Sequence, residues 1–342
     1  MMITSESMKI SKAIYEYLND YAPVEKTTSE HTLKSYKMSL SLYVLFLQSK
    51  KNITPSKLNL QCFCNAFIEE WLSWLSNDRG NTPATCNVRL SGLREFLKYL
   101  SQKDVGFIVL EEATKVKFKK TPKRKVNGMT RAAVKALMDT PDPSTKCGKR
   151  DLTLMVVLYA TAARIDELLD LKISQLHLND TKPYITVIGK GNKMRILYLL
   201  PKAVSHLKGY LMDFHGENPS PNAYVFYSRN KGIYGKMSQA AVSKMLKKTA
   251  AIAHEKCNDV PLNLHAHQFR HAKASHWLED NMNIAQISFL LGHENIQTTM
   301  IYMDITTEAQ LKALATLGDE SSSSIPKKWK KNSKTLMSFC GL

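Results

Sequence analysis

The chain has 342 residues, 48 Lys and Arg against 30 Asp and Glu, and a formal net charge of +18. At roughly 150 residues per domain this length predicts two domains, and 44% apolar residues with 8% aromatics provide a core for each, which excludes disorder throughout. The longest apolar run, residues 152–163, contains Thr153 and Thr161 and falls well short of the ~20 residues a membrane helix needs. Residues 1–20 carry Glu6, Lys9, Lys12, Glu16 and Asp20 without the apolar block of a signal peptide, so the expectation is a cytoplasmic protein with no membrane partner.

In the first part, Leu33, Tyr36, Leu40, Tyr43, Val44 and Leu47 recur at three- and four-residue steps after Thr28 and Ser29, which predicts an amphipathic helix. A second helix is predicted around Phe63, Phe67, Trp71, Trp74 and Leu75. A third opens at Thr82-Pro83, a capping residue followed by proline at the first helical position, and continues through Val88, Leu93, Phe96, Leu97 and Leu100. With a segment around Ile10 to Tyr21 this makes a helical bundle. Arg89, Arg94 and Lys98 lie off its apolar stripe, on a face that is either merely solvated or turned to phosphates.

Charge is unevenly spread. Residues 1–114 hold 13 bases against 12 acids, residues 115–125 (KVKFKKTPKRK) hold seven bases and no acid, and residues 126–342 hold 28 bases against 18 acids. A near-neutral part joined through a basic strip to a basic part is the asymmetry of a chain that grips a polyanion, with nucleic acid the leading partner. Within and beside the strip, Lys117, Lys119, Lys120, Lys123, Arg124 and Lys125 are candidate backbone contacts.

Beyond Thr121-Pro122 the pattern changes. Thr130 caps a helix with Val134, Leu137 and Met138, and a long apolar helix is predicted from about Arg150 to Ala162. Strand signals cluster in residues 184–188 and 194–200, separated by Gly189-Lys190-Gly191-Asn192-Lys193, which predicts a hairpin. The remainder reads as helical, including a helix from Ser238 to Ala250. Residues 319–324 (DESSSS) read as a flexible break before a basic and then apolar tail. Six scattered cysteines, Cys62, Cys64, Cys86, Cys147, Cys257 and Cys340, lack disulfide-scaffold density or paired zinc spacing and are expected to be reduced.

The chemistry-bearing residues begin with His267-Gln268-Phe269-Arg270-His271. In a helix over 264–279, His267, Arg270 and His271 share one face, a concentration of donors suited to an anion. Leu290-Leu291-Gly292-His293 places another histidine after a helix-ending glycine, and Tyr302 follows nine residues later. Upstream, Arg164 follows Ala160-Thr161-Ala162-Ala163 and leads into Ile165-Asp166-Glu167-Leu168-Leu169. Each feature alone has an ordinary structural reading.

Together they resemble the tyrosine recombinase (phage integrase) family of site-specific DNA strand-exchange enzymes. The resemblance rests on A-R-I-D-E-L-L-D-L at Arg164, V-I-G-K-G-N-K-M-R at Lys190, H-Q-F-R-H at Arg270 and L-L-G-H-E-N-I-Q-T-T-M-I-Y at Tyr302, over roughly residues 125–305. The helices with T-L-K-S-Y and T-P-A-T-C-N-V-R-L-S-G-L-R-E-F resemble the family's core-binding domain. Two departures are Ala162, where many members have glycine, and Met282, where a turn glycine is common.

The resemblance implies a mainly α fold: a SAM-like core-binding bundle (1–114), a basic interdomain linker (115–127), a catalytic domain with a small antiparallel sheet (128–318) and a flexible tail (319–342), closing as a C-shaped clamp on double-stranded DNA. It implies Tyr302 as the nucleophile that forms a 3′-phosphotyrosyl link, and Arg164 and Arg270 as bidentate stabilisers of nonbridging oxygens. Lys190 is the implied general acid, with Lys193 a substitute. His267 and His293 would bond the phosphate, and His267 would also serve as base. Glu167 would orient the site and His271 support packing. No metal or nucleotide cofactor is implied, and a zinc reading of His265, His267, His271, His276 and His293 is opposed by Arg270 among them. Gln239, Ser243, Lys244 and Lys247 are candidate base-edge contacts. Trp329, Leu336, Met337 and Phe339 would either plug a neighbouring protomer in a homo-tetramer on paired sites or dock on their own chain, with accessory DNA-bending proteins as further partners and a nucleoid location. The expected task is integration, excision or transposition of a mobile element. The alternatives are chromosome or plasmid dimer resolution, type IB topoisomerase-like relaxation, and an inactive DNA-binding relative.

Overall fold

The computed structural model describes residues 5–113, 115–121, 128–189, 193–293 and 295–302. Its chain divides into two units, Met1–Lys123 and Arg124–Leu342. Both are mainly helical, and the described strands form two small antiparallel sheets in the second.

In the first unit α1 (Ser5–Glu16) runs on as a π-helical segment, Tyr17–Lys26, that carries Pro23. It is followed by α2 (Glu30–Lys51), α3 (Asn65–Asn77), α4 (Pro83–Lys103) and a short α5 (Leu110–Ala113). Thr82 caps α4 through its hydroxyl, which accepts from the Thr85 amide, and Pro83 takes the first helical position where no amide is needed. The core is aromatic at its centre: Tyr43 meets Trp71 edge-on at 5.1 Å and donates its hydroxyl proton to the Cys62 carbonyl at 2.6 Å, so the polar end of a buried ring is satisfied.

The segment expected to be a free basic linker is, over residues 115–121, bound along α4. The Asn87 amide donates to the Lys119 carbonyl at 2.9 Å and its oxygen accepts the Lys119 amide at 2.8 Å. Arg94 donates to the Val116 carbonyl and lies over the Phe118 ring at 4.2 Å. Val116 is buried, which anchors the strip by an apolar contact as well. The Lys119 ammonium donates to Ser76 at 2.5 Å, whereas Lys117 and Lys120 are exposed. Lys123, Arg124 and Lys125 lie outside the described residues, as does the tail with Trp329, Leu336, Met337 and Phe339.

The second unit opens with α6 (Arg131–Met138), capped by Thr130, and α7 (Lys146–Thr161), capped by Thr145. After α8 (Ile165–Leu169), strands β1 (Leu176–His177), β2 (Tyr184–Ile188) and β3 (Met194–Tyr198) pair in sequence order, with Val187 opposite Arg195. β3 ends before the predicted Leu200 because Leu200 caps α9 (Pro201–His215). A second hairpin, β4 (Tyr227–Ser228) and β5 (Gly232–Lys236), was not legible: β4 is two residues long, and its turn closes on Gly232 at φ +70°. The chain then forms α10 (Gln239–Lys256), α11 (Ala266–Glu279), α12 (Ile284–Leu291) and α13 (Gln297–Met300). The Met282 departure has a simple backbone explanation, since the left-handed residue of that turn is Asn281 (φ +62°).

Two glycines of this unit respond oppositely to alanine. A Cβ at Gly148 would lie 1.9 Å from the Asp142 carbonyl oxygen, whereas Gly209, exposed in α9, has nothing within 4 Å. Gly148→Ala is expected to destabilise the protein by about 1–3 kcal/mol through forced backbone displacement, and Gly209→Ala to stabilise it by about 0.5–1 kcal/mol; denaturant midpoints read both.

Candidate active site

The site begins where α7 stops. Ala162 takes the left-handed conformation (φ +50°), which turns the chain and frees its carbonyl, at a cost of about 1–2 kcal/mol for a non-glycine residue. Two residues later Arg164 caps α8. Its backbone amide donates to Glu167 Oε2 at 2.8 Å and its Nη1 to Oε1 at 3.0 Å. Glu167 is 5% exposed and is also held by Arg195 of β3, whose Nη1 and Nη2 donate to Oε1 and Oε2 at 2.8 and 2.6 Å. Burial pushes the Glu167 carboxyl up, but the hydrogen bonds and charge of Arg195, then those of Arg164, outweigh it and the net shift is downward. It is therefore an anion between two guanidinium groups.

α11 supplies the opposite wall. Arg270 is 1% exposed, and donates through Nη1 to the Ala162 carbonyl at 2.8 Å and through Nη2 to the Leu291 carbonyl at 2.6 Å. These carbonyls sit at the C-terminal ends of α7 and α12, where unpaired carbonyls and the helix dipole favour a cation. Burial, then the charge of Arg164, pull Arg270 down to about 10, so it stays charged at neutral pH.

Gly292 ends α12 in the left-handed conformation (φ +63°), with its amide bonded to the Phe289 carbonyl and that of His293 to the Ser288 carbonyl, a Schellman closure. His293 is thereby fixed beside the site, and its Nδ1 shares a 2.7 Å hydrogen bond with Thr299 of α13. The Tyr302 amide in turn donates to the Thr299 carbonyl at 3.1 Å. The Tyr302 ring packs with Ala162, Ala274, Ile287 and Leu291 and is 1% exposed. Its hydroxyl is hydrogen-bonded to His271 Nδ1 at 2.9 Å. Burial raises the phenol's pKa, although Arg270 and Arg164 pull the other way.

The histidines are shifted down together. Burial, then His267 and Arg270, bring His271 to about 4; burial, then Arg270 and Arg164, bring His293 to about 4. His267 is shifted the same way by desolvation and the same two arginines, and its ring stands edge-on to His271 at 4.5 Å. Among the described residues, no three His, Cys, Asp or Glu side chains are grouped to hold a metal ion.

The structure thus brings Arg164, Glu167, His267, Arg270, His293 and Tyr302 into one electrostatic cluster. Lys190 lies outside the described residues; its turn is closed by the Gly189 amide donating to the Lys193 carbonyl at 2.8 Å. The candidate base-edge residues Gln239, Lys244 and Lys247 are exposed on α10 and Ser243 is half-buried, but the Gln239 amide is already engaged by Asp166. A cavity of about 900 Å³ opens beside Arg164, Arg195 and His293, with an apolar side formed by Met194, Ile196 and Phe289.

Two residues were missed or misassigned from sequence. His271, expected to support packing, is the one bonded to the phenol, and His267 is not. Arg195 drew no attention, yet its strand carries a signal: Met194, Ile196 and Tyr198 are exposed while Arg195 shares the inward register with buried Leu197. An alternating strand with its apolar residues outward and a charge inward breaks the usual pattern, and such breaks mark functional positions.

Residues 127–309 match the phage integrase family and residues 14–104 its N-terminal SAM-like domain. Tyrosine recombinase XerD of Listeria monocytogenes is 30% identical over 292 residues, covering 83% of this chain and 91% of that protein. Tyrosine recombinase XerC of Chlamydia pneumoniae is 28% identical over 312 residues, covering 86% and 95%. Among solved structures, XerH site-specific recombinase bound to its difH substrate aligns over 93% of this chain and 85% of that one, with a TM-score of 0.63 at 19% identity. A lambda integrase dimer bound to a COC′ core site aligns over 84% and 96%, with a TM-score of 0.60 at 15% identity. The family profile over more than half of the sequence, and a 30% identical relative along most of its length, place this chain in the phage integrase family, the tyrosine-type site-specific DNA recombinases.

Proposed function

We propose that Tyr302 attacks a DNA phosphodiester, forming a tyrosyl oxygen–phosphorus bond to the 3′ side and breaking the bond to the 5′ oxygen. The phenol proton passes to His271, and Lys190 protonates the departing 5′ oxygen to give a free 5′-hydroxyl. A 5′-hydroxyl of the partner strand later reverses the step, so the phosphoester energy is retained in the protein link and no nucleotide is consumed. Arg164 and Arg270, with His267 and His293, hold the nonbridging oxygens. The observation that carries this reading is the Tyr302–His271 hydrogen bond of 2.9 Å beside two guanidinium groups. Because the phenol is covered, the α13 segment must shift for a phosphate to reach its oxygen.

The biological setting proposed is a mobile element that integrates, excises or transposes, with recombination at paired sites in a homo-tetramer at the nucleoid, assisted by DNA-bending proteins. A second reading, resolution of chromosome or plasmid dimers, is favoured by relatives named XerC and XerD that align along most of this chain. Conversion of a plasmid dimer to monomers at sites selected by the protein supports resolution, and joining of two unlinked circles supports integration. Seating of a neighbour's tail residues Trp329, Leu336, Met337 and Phe339 is supported by the exposed apolar side chains Met194, Ile196 and Phe289. Truncation after Ser324 is expected to leave single-site binding intact and weaken synapsis of paired sites in a gel-shift assay.

Covalent capture on random genomic duplexes, followed by a nicked suicide duplex carrying the selected site, tests the chemistry. Wild-type protein is expected to form an adduct that Tyr302→Phe abolishes. Donors aimed at developing charge contribute about 3–4 kcal/mol, so Arg164→Ala or Arg270→Ala should slow adduct formation by at least ~100-fold. His271→Ala is expected to slow attack more than His267→Ala; the reverse order returns the base role to His267.

The histidine shifts also predict a pH effect on stability. Unfolded histidine titrates near 6.5, and in the fold His271 and His293 are held near 4, so below about pH 6.5 the unfolded chain binds more protons than the folded one. The DNA-free protein is expected to lose stability as pH falls from 6.5 towards 4, and His271→Asn to show a shallower loss in thermal melts.

A further inference from the structure

Arg195 has no assigned role, although its guanidinium lies where three parts of the site meet. It takes both oxygens of Glu167 in a bidentate fork, at 2.8 and 2.6 Å, and its side chain is 17% exposed. It also lies against two glycines. A Cβ on Gly292 would stand 3.1 Å from Arg195 Nη1 and 3.3 Å from its Cδ, and a Cβ on Gly189 would stand 3.3 Å from the same Nη1 and from Glu167 Oε1. Gly292 precedes His293, and Gly189 precedes the turn that carries Lys190. One planar cation therefore lies against Gly189 just beyond β2, the end of α12 and the carboxylate that anchors Arg164.

The contact with Glu167 has a specific consequence for Arg164. The Arg164 guanidinium reaches Glu167 through Nη1 alone, at 3.0 Å, and its side chain is 37% exposed. A buried carboxylate with no other cation would draw Arg164 inward into its own two-bond fork, the strongest geometry for this pair, and would turn the Arg164 donors and charge away from the phosphate. With both carboxylate oxygens already occupied by Arg195, the rest of the Arg164 fork stays free. Arg195 commits one donor of each terminal nitrogen to Glu167, so the fork it would need to grip a phosphate bidentately is already turned to the carboxylate.

We propose that Arg195 is a positioning residue for strand cleavage: by claiming Glu167, it keeps the Arg164 guanidinium turned outward for the scissile phosphate, and by packing on Gly292 it helps fix His293 beside it. Lysine cannot substitute fully, because a single ammonium does not match the carboxylate fork.

The inference rests on the phosphate-binding role proposed for Arg164, and its test separates the two. The probe is the nicked suicide duplex with the site selected by covalent capture, scored by single-turnover adduct formation, with a thermal melt on each variant. Arg195→Met is expected to slow cleavage by roughly 10- to 100-fold, the usual range when a partner that orients a site's ligands is lost, and Arg195→Lys by less. Adding Glu167→Gln to Arg195→Met removes the charge that captures Arg164 and is expected to restore at least ~5-fold; a purely structural role for Arg195 predicts no recovery, because the second change only weakens the fold further. Wild-type rates for Arg195→Met, or a double variant no faster than the single, overturn the proposal. If Arg195→Met lacks a cooperative melt, the Arg195→Lys pair with and without Glu167→Gln carries the same comparison. Cleavage at the wild-type rate by Arg164→Ala, run in parallel, instead overturns the role of Arg164 itself.

Discussion

Three guanidinium groups, those of Arg164, Arg195 and Arg270, surround a single buried carboxylate, and the repulsion among them is the constraint the second unit is built to manage. Glu167 offsets one charge through hydrogen bonds to Arg164 and Arg195. Arg270 has no carboxylate and is held by two carbonyls at helix ends. Burying a cation with so little compensation is costly unless hydrogen bonds replace its hydration. Burial first, and then the remaining positive charge, depress Arg270 and the histidines beside it. Three guanidinium groups around one carboxylate leave a net positive charge that suits a further anion such as a phosphodiester.

The geometry that tolerates this excess comes from how helices terminate. α7 ends in a left-handed residue at Ala162 and α12 in a left-handed glycine, and in each case the last turn leaves a carbonyl that no helical amide can reach. Those two carbonyls converge on Arg270, so the chain's own leftover acceptors fix the side chain's direction. The same endings place Arg164 and His293 within two residues of the turns. Residues whose conformation matters here, Ala162 and Gly292, are thus not themselves chemical groups; they set where the charges point.

Much of this was legible in the sequence because capping and periodicity are local. Thr82-Pro83 and Thr130 begin helices as their chemistry requires, and the residues around Gly189 separate two strands in the expected hairpin. What failed to show depends on distant partners. Asn87 and Arg94 gave no sign that they hold residues 115–121 against α4, because that binding exists only once a strip more than twenty residues away lies beside the helix. His267 and His271 are both one helical turn or less from Arg270, and helical spacing alone cannot say which imidazole meets a phenol 31 residues downstream. Arg195 was readable in principle, through its inward register on a strand with exposed apolar neighbours.

The proton balance at Tyr302 constrains the proposed reaction further. The phenol is shifted up and its partner His271 down to about 4, so a proton transfer completed before attack is strongly uphill in the DNA-free site. The transfer must instead proceed with formation of the oxygen–phosphorus bond, when the phenol oxygen loses its basicity to phosphorus. An entering phosphodiester also changes the acceptor: its negative charge offsets part of the field of Arg270, which raises the affinity of His271 for a proton. Burial and His267 do most to keep the imidazole neutral without DNA, and Arg270, which adds to them, is a group the proposed phosphate engages, so in the proposed reaction the base gains affinity for a proton as the target of attack arrives. That coupling adds to the steric cover of the phenol in keeping a buried tyrosine from reacting elsewhere, because its acceptor gains proton affinity only when the substrate's charge enters the site.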